Sequence, residues 1–171
     1  AMLDIVIPVY NEPVNIIKTL DSIEKEIDCD RRVLIVYDSE DDTTLKPVIE
    51  SAGNYSFAIL RIKNAYGMGV LNAIKTGMES AAGSYVLVAM ADMSDDLSAV
   101  DKMVLKMEKG NYDVVCGSRY MKGGEHHGGP VLKGCMSRIA GVSLHYLTRI
   151  PTHDVTNSFK LYSKRLLDNI S

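Results

Sequence analysis

The chain has 171 residues, a formal net charge of −3 and a hydrophobic fraction of 46%. That length holds one domain with a real core, and the composition excludes a disordered chain. The weak charge offers no field for nucleic acid, and no apolar run approaches the ~20 residues that span a bilayer. Cys29, Cys116 and Cys135 are far apart, without paired metal spacing, and read as reduced thiols of a cytosolic protein. The start runs directly into a strand with no signal peptide. Ala1 before Met2 reads as an expression scar. The end at Ser171, just after an amphipathic segment begins, leaves C-terminal truncation open.

Leu3 to Val9 is a β-branched run and a first strand, with Pro8 at its exit. Asn11 is expected to cap the next helix, with Glu12 as a first-turn acid and Pro13 in the opening turn. Ile16, Ile17, Leu20, Ile23 and Ile27 then recur at helical spacing. A second strand, Val33 to Tyr37, ends in the acidic turn Asp38-Ser39-Glu40-Asp41-Asp42, and a helix follows from about Thr44 to Ser51. Phe57 to Ile62 is a third strand. After Asn64-Ala65-Tyr66-Gly67-Met68-Gly69, a helix runs through Leu71, Ile74 and Met78 and ends at Gly83. Tyr85 to Met90 is apolar throughout, as a central strand covered on both faces would be. It runs into Asp92, Ser94, Asp95 and Asp96. Leu97 to Lys109 is helical, with Val100, Met103, Val104 and Met107 on one face and Gly110 as its stop. Tyr112 to Cys116 is the next strand. A glycine-rich loop, Gly123 to Gly129, carries His126 and His127. A helix is expected from about Leu132 to Leu147, a polar connection from His153 to Lys160, and a helix start over Leu161 to Ile170.

Strands and helices alternate as far as Cys116. That order predicts an α/β fold, a mostly parallel sheet with helices on both faces, and a single domain over 1–171. In such sheets ligands bind beyond the carboxyl ends of the strands. Tyr10-Asn11-Glu12, Asp38 and Asp92 all stand at such ends. One acidic turn alone reads as a solvated loop or cap. Several along one edge point to a site, because a cation or ligand offsets their repulsion. Asp92 is placed to reach a hard divalent cation that holds a diphosphate. Gly67-Met68-Gly69 is no dinucleotide fingerprint, since Asn72 takes the third glycine's place.

Val6-Ile7-Pro8-Val9-Tyr10-Asn11-Glu12 resembles the opening of inverting family 2 glycosyltransferases of GT-A fold, nearest their polyprenyl-phosphate (dolichyl-phosphate) mannosyl- and glucosyltransferases. Asp38-Ser39-Glu40-Asp41-Asp42-Thr43 resembles their acidic DDGSxDGT turn. Gly67, Gly69, Ala73 and Gly77 resemble the glycine-rich start of a helix, and Ala91-Asp92-Met93-Ser94 the end of a DAD-L-S element. Gly117-Ser118-Arg119-Tyr120 matches GSRY. Asp154-Val155-Thr156-Asn157-Ser158-Phe159-Lys160 resembles D-x-TSGFR.

The resemblance implies roles. Pro8, Tyr10 and Glu12 would line the nucleotide pocket, and Asp38 would hydrogen-bond base or ribose. Asp92, helped by Ser94, would bind Mg²⁺ or Mn²⁺ with the donor's diphosphate. Arg119 would hold a phosphate, with Lys133 or Arg138 as a second cation. Asp154 would act near the sugar, as a base or an orienting group. The chain departs from the pattern at Met90, where the first DxD aspartate would be, and at Tyr37, where the turn's first aspartate would be. Asn157-Ser158 replaces Ser-Gly, and Asp95 is a possible substitute ligand.

The implied activity moves a hexose from a GDP-mannose or UDP-glucose type donor to an acceptor, in the nearest branch polyprenyl phosphate. That predicts a cytoplasmic protein, peripheral at the cytoplasmic face of a membrane. Oligomeric state has no signature. A non-catalytic GT-A-like nucleotide-binding module is the alternative, motivated by Met90 and Tyr37. A sugar nucleotidyltransferase ranks last, because Val9-Tyr10-Asn11-Glu12 lacks a glycine- and arginine-rich triphosphate loop.

Overall fold

The computed structural model describes residues 1–117 and 159–170. Strand β1 (Leu3–Pro8) is buried along its whole length. It pairs in parallel with β2 (Arg31–Tyr37) on one side and β4 (Tyr85–Val88) on the other. β3 (Ala58–Lys63) extends the sheet beyond β2, also in parallel. On the far side β6 (Lys160–Ser163) pairs antiparallel with both β4 and β5 (Val114–Cys116), so the order is β3-β2-β1-β4-β6-β5. β5 therefore runs with the first four strands, and β6 alone among the described strands runs against them.

The two faces divide by strand parity, since successive side chains point to opposite sides. Leu3, Ile5, Ile7, Val33, Ile35 and Leu87 face helices α1 (Asn15–Glu26), α2 (Leu45–Ser51) and α4 (Val100–Gly110). The helices answer with Ile16, Leu20, Ile23, Val48, Met103 and Met107. Val6, Leu34, Val36, Val86 and Val88 face α3 (Val70–Ser80) and α5 (Lys164–Ile170) through Ala73, Ile74 and Leu167. Gly77 lets α3 sit close, for a Cβ there would clash with Val6 Cγ1 and lie 3.1 Å from Val36 Cγ2.

Several local expectations are corrected. Asn11 does not cap α1. The helix starts at Asn15, after Val14 and without a side-chain cap, while Asn11 takes φ 50°. The fourth strand stops at Val88 because the Met90 N–H turns to Asp95 Oδ2 (3.0 Å) instead of a neighbouring strand. α3 ends at Ser80, and Gly83 N–H donates to Asp4. α4 runs through Gly110, and Asn111 takes the left-handed cap at φ 49°. Leu161 to Ser163 lies in a buried strand, not a helix, because the ladder partners of β4 and β5 flank it on both sides.

Candidate active site

Parallel pairing brings the ends of β1, β2, β3, β4 and β5 to one sheet edge, together with the start of β6. At the β1 exit Val9 N–H donates to Val36 O (2.9 Å), and Tyr10 stands exposed. Asn11 then joins the acidic turn. Its N–H donates to the two oxygens of buried Asp42 (3.1 and 3.2 Å), and its Oδ1 accepts from Thr43 N–H (3.1 Å). Glu12 N–H donates to Thr44 Oγ1 (2.8 Å), and Asp42 also accepts from Thr44 N–H (2.8 Å). The carboxylate at Asp42 thus anchors the turn, where the sequence shows only one acid among several. Glu12 Oε2 accepts from Asn15 Nδ2 (2.8 Å), so the side chain is held at the first turn of α1.

Asp38 follows β2. Its carboxylate accepts from Asn64 Nδ2 (2.8 Å) and Gly69 N–H (3.1 Å), pinning the loop between β3 and α3. Gly67 and Gly69 adopt φ 87° and 124°, where side chains are strained. Asn64 braces the same loop from within, accepting from Tyr66 N–H and Thr76 Oγ1 (3.1 Å each). Asn64 carried no role in the sequence. Its place just after a strand, ahead of two glycines, was the available signal. Tyr37, in the place of an aspartate, donates through Oη to Glu40 (3.1 Å). Burial and then Glu40 hold its phenol above the ordinary range.

The turn after β4 separates three carboxylates by function. Asp95 is tied to Met90 N–H, and Asp96 caps the turn ahead of α4 by accepting from Ser98 N–H (3.2 Å) and Oγ (2.6 Å). Asp92 Oδ1 accepts from Ser94 N–H (3.0 Å), while Oδ2 has no hydrogen bond among the described residues. Asp92 and Ser94 are both half-buried, and Met93 between them takes φ 62°. The described residues contain no group of three His, Cys, Asp or Glu side chains able to close around a metal. One carboxylate with an open oxygen fits a Mg²⁺ or Mn²⁺ that keeps its waters and takes remaining ligands from a diphosphate. Asp95 is tied to the turn through Oδ2, which accepts from Met90 N–H.

Arg119, Lys133, Arg138 and Asp154 lie outside the described residues, as do the His126-His127 loop and the helix expected over 132–147. The chain on either side of that segment is fixed. Gly117 N–H donates to Phe159 O (3.0 Å), and a Cβ on Gly117 would lie 2.5 Å from Phe159 Cδ1. A separate cleft of about 350 Å³ opens between α1 and the turn after β4, lined by Thr19, Met90, Met93 and Asp95 among others. It includes neither Asp38 nor Asp92.

The sequence model for "Glycosyl transferase family 2" matches residues 4–171. The chain belongs to glycosyl transferase family 2. Among its family 2 relatives, a dolichyl-phosphate beta-glucosyltransferase of Dictyostelium discoideum is 29% identical over 131 residues, covering 68% of this chain and 39% of that protein. A dolichol-phosphate mannosyltransferase of Pyrococcus furiosus is 25% identical over 137 residues, covering 80% and 38%. The chain thus spans about two fifths of the length of these relatives. Among solved structures, S. aureus TarS 1-349 superposes with a TM-score of 0.68 at 18% identity, over 99% of this chain and 49% of that one. The Pyrobaculum calidifontis mannosyltransferase PcManGT, solved with GDP-Man and Mn²⁺, gives 0.67 at 18%, over 99% and 46%. The family 2 domain here therefore has the GT-A fold, with the mostly parallel sheet that the alternation of strands and helices predicts.

Proposed function

We propose that this chain is the catalytic domain of an inverting family 2 glycosyltransferase that moves a hexose from a nucleotide sugar to polyprenyl phosphate. The observation that carries this reading is the Asp92 carboxylate past the end of β4, with Oδ2 open, on the same sheet edge as the glycine loop that Asp38 holds. The D. discoideum and P. furiosus relatives are named for dolichyl- or dolichol-phosphate transfer, which supports the acceptor class. PcManGT holding GDP-Man and Mn²⁺ supports a donor of GDP-mannose type, with a UDP-glucose type donor as the other option.

Pro8, Tyr10 and Glu12 would wall the nucleotide. Asp38 would shape the base pocket through the loop it pins and keep lone pairs for the base or ribose. Asp92 and Ser94 would hold Mg²⁺ or Mn²⁺, which when bound neutralises the nucleoside diphosphate as it leaves. An acceptor phosphate oxygen bonds the anomeric carbon as the bond to the donor's diphosphate breaks. The electron pair departs with the diphosphate, and the anomeric configuration inverts. An acceptor already anionic near neutral pH needs little help from a base. Asp154 would orient the sugar or act as that base, and Arg119, with Lys133 or Arg138, would hold acceptor phosphate. Such chemistry belongs at the cytoplasmic face of a membrane, with the domain peripheral. No helix among the described residues is long and apolar enough to cross one.

Calorimetric titration of GDP, UDP and GDP-mannose, each with and without Mn²⁺, tests the reading in wild type and Asp92→Ala. The expected result is Mn²⁺-dependent binding of one nucleotide, weakened at least about tenfold in Asp92→Ala, the loss of roughly one charge-assisted contact. Binding that ignores both Mn²⁺ and Asp92 would overturn it and favour a non-catalytic nucleotide-binding module. Met90 motivates that second reading, since its thioether is a poor ligand for Mg²⁺ or Mn²⁺.

A further inference from the structure

We propose that Thr76 and Asn64 are positioning residues that turn the Asp38 carboxylate toward the nucleoside of the donor. Thr76 lies on the buried face of α3 with Ala73, Ile74 and Gly77, and is only 4% exposed. A helical hydroxyl commonly donates to the carbonyl one turn back, as Thr19 Oγ1 does to Asn15 O (2.9 Å) and Ser80 Oγ to Thr76 O (2.7 Å). Thr76 instead turns to the loop that precedes its own helix. Its Oγ1 accepts from Ala65 N–H (3.1 Å) and donates to Asn64 Oδ1 (3.1 Å).

Backbone groups that can only donate fix the direction of these bonds. Ala65 N–H makes Thr76 Oγ1 an acceptor on that side, which leaves the hydroxyl hydrogen for Asn64. Tyr66 N–H donates to the same Asn64 atom (3.1 Å), so that atom is the amide oxygen. The amide nitrogen therefore faces the other way and donates to Asp38 Oδ1 (2.8 Å). The Asn64 backbone is held too, its N–H donating to Tyr37 O (2.8 Å), one residue before Asp38. Gly69 N–H supplies a second donor, to Asp38 Oδ2 (3.1 Å). Each carboxylate oxygen thus has a protein donor, and its remaining lone pairs accept from a ligand. Asp38 then selects a hydrogen-bond donor, a ring N–H of the base or a ribose hydroxyl. The relay from α3 sets the angle at which it does so. This inference deepens the transferase reading and rests on it for the nucleotide.

The experiment titrates GDP, UDP and inorganic pyrophosphate, each with Mn²⁺, into the full chain. Thr76→Val keeps the shape and removes the relay, Thr76→Ser keeps the hydroxyl, and Asn64→Asp sets a carboxylate against Asp38. Thr76→Val is expected to weaken the nucleotide that wild type binds by about three- to tenfold, the loss of roughly one hydrogen bond. Asn64→Asp is expected to weaken it by at least about tenfold, and Thr76→Ser by no more than about twofold. Pyrophosphate carries no nucleoside, so its affinity is expected to stay within about twofold of wild type in all three. A positioning role acts through Asp38, so in an Asp38→Ala background Thr76→Val and Asn64→Asp are expected to add no further loss. A merely structural threonine would weaken pyrophosphate as well, or add its full loss to that of Asp38→Ala. Should Thr76→Val fail to fold, Asn64→Asp on the half-buried loop carries the same comparisons. Nucleotide affinity unchanged in both variants, or a loss undiminished in the Asp38→Ala background, would overturn the role and leave the transferase reading intact. Nucleotide binding that falls as expected in a protein that transfers no sugar would keep the role and sink the transferase. A wild type that binds no nucleotide would overturn both.

Discussion

Asp4 shows how much a single side chain can hold. It is fully buried, yet it accepts from Arg32 Nε (2.7 Å) and Nη2 (2.8 Å) and from Ala82 and Gly83 N–H (2.7 and 2.8 Å). Burial alone would raise its pKa, but Arg32 and the two N–H groups outweigh it and hold the carboxyl below its usual 3.8. A depressed folded-state value stabilises the fold above the unfolded pKa and is lost as pH falls through the folded one. Asp4→Asn should therefore cost about 3 kcal/mol at pH 7, the low end for a broken buried pair. The low end applies because the Arg32 side chain keeps 27% exposure. Urea unfolding of both proteins should show that gap constant down to about pH 4 and shrinking below it. In the sequence Asp4 is one polar residue in an apolar run. Its partner stands on the next strand, in register and 28 positions away, which no local pattern reveals. Asn11 misled for the same reason: the Oδ1 of a capping residue type took a distant donor, Thr43 N–H, in place of the helix beside it.

Helix α3 carries a test of packing against propensity. Alanine is the better helix former, so Gly77→Ala would gain up to about 1 kcal/mol from propensity alone. The added methyl meets Val6 and Val36, both buried and both on central strands. Overpacking of that kind costs about 1–3 kcal/mol, so the net change should be destabilising. Chemical denaturation measures it, and a lower midpoint with an unchanged slope is the expected outcome. The helices themselves were legible because apolar residues recur at their period: Ile16, Leu20 and Ile23 in α1, Met103, Val104 and Met107 in α4. β6 was not legible. Leu161, Tyr162 and Ser163 run straight into the helical spacing of Leu166 and Leu167, and only pairing with β4 and β5 makes them a strand.

For the molecule as a whole, alternation of strand and helix disclosed the parallel sheet and the edge where its strands end, since local runs such as Val33 to Val36 carry it. The places of Asp38 and Asp92 at this edge were legible from the sequence, Asp38 directly after β2 and Asp92 four residues past β4. What Asp38 touches was not, since the closing of the loop from Asn64 to Gly69 depends on backbone angles. Among the described strands, β5 touches the sheet only through β6. A chain ending at residue 158 should therefore keep β1 to β4 paired, leave the flank of β4 open and aggregate. Light scattering of that truncated chain beside the full one checks this, and a monodisperse, fully folded product would contradict it.

That arrangement gives the domain a clock. During synthesis β1 to β4 can pair as each emerges, but among the described strands β5 has no neighbour until β6 has left the ribosome. Among the described strands the sheet edge is then completed last, by β6, so an incomplete nascent chain carries Asp38 and Asp92 before its sheet is closed.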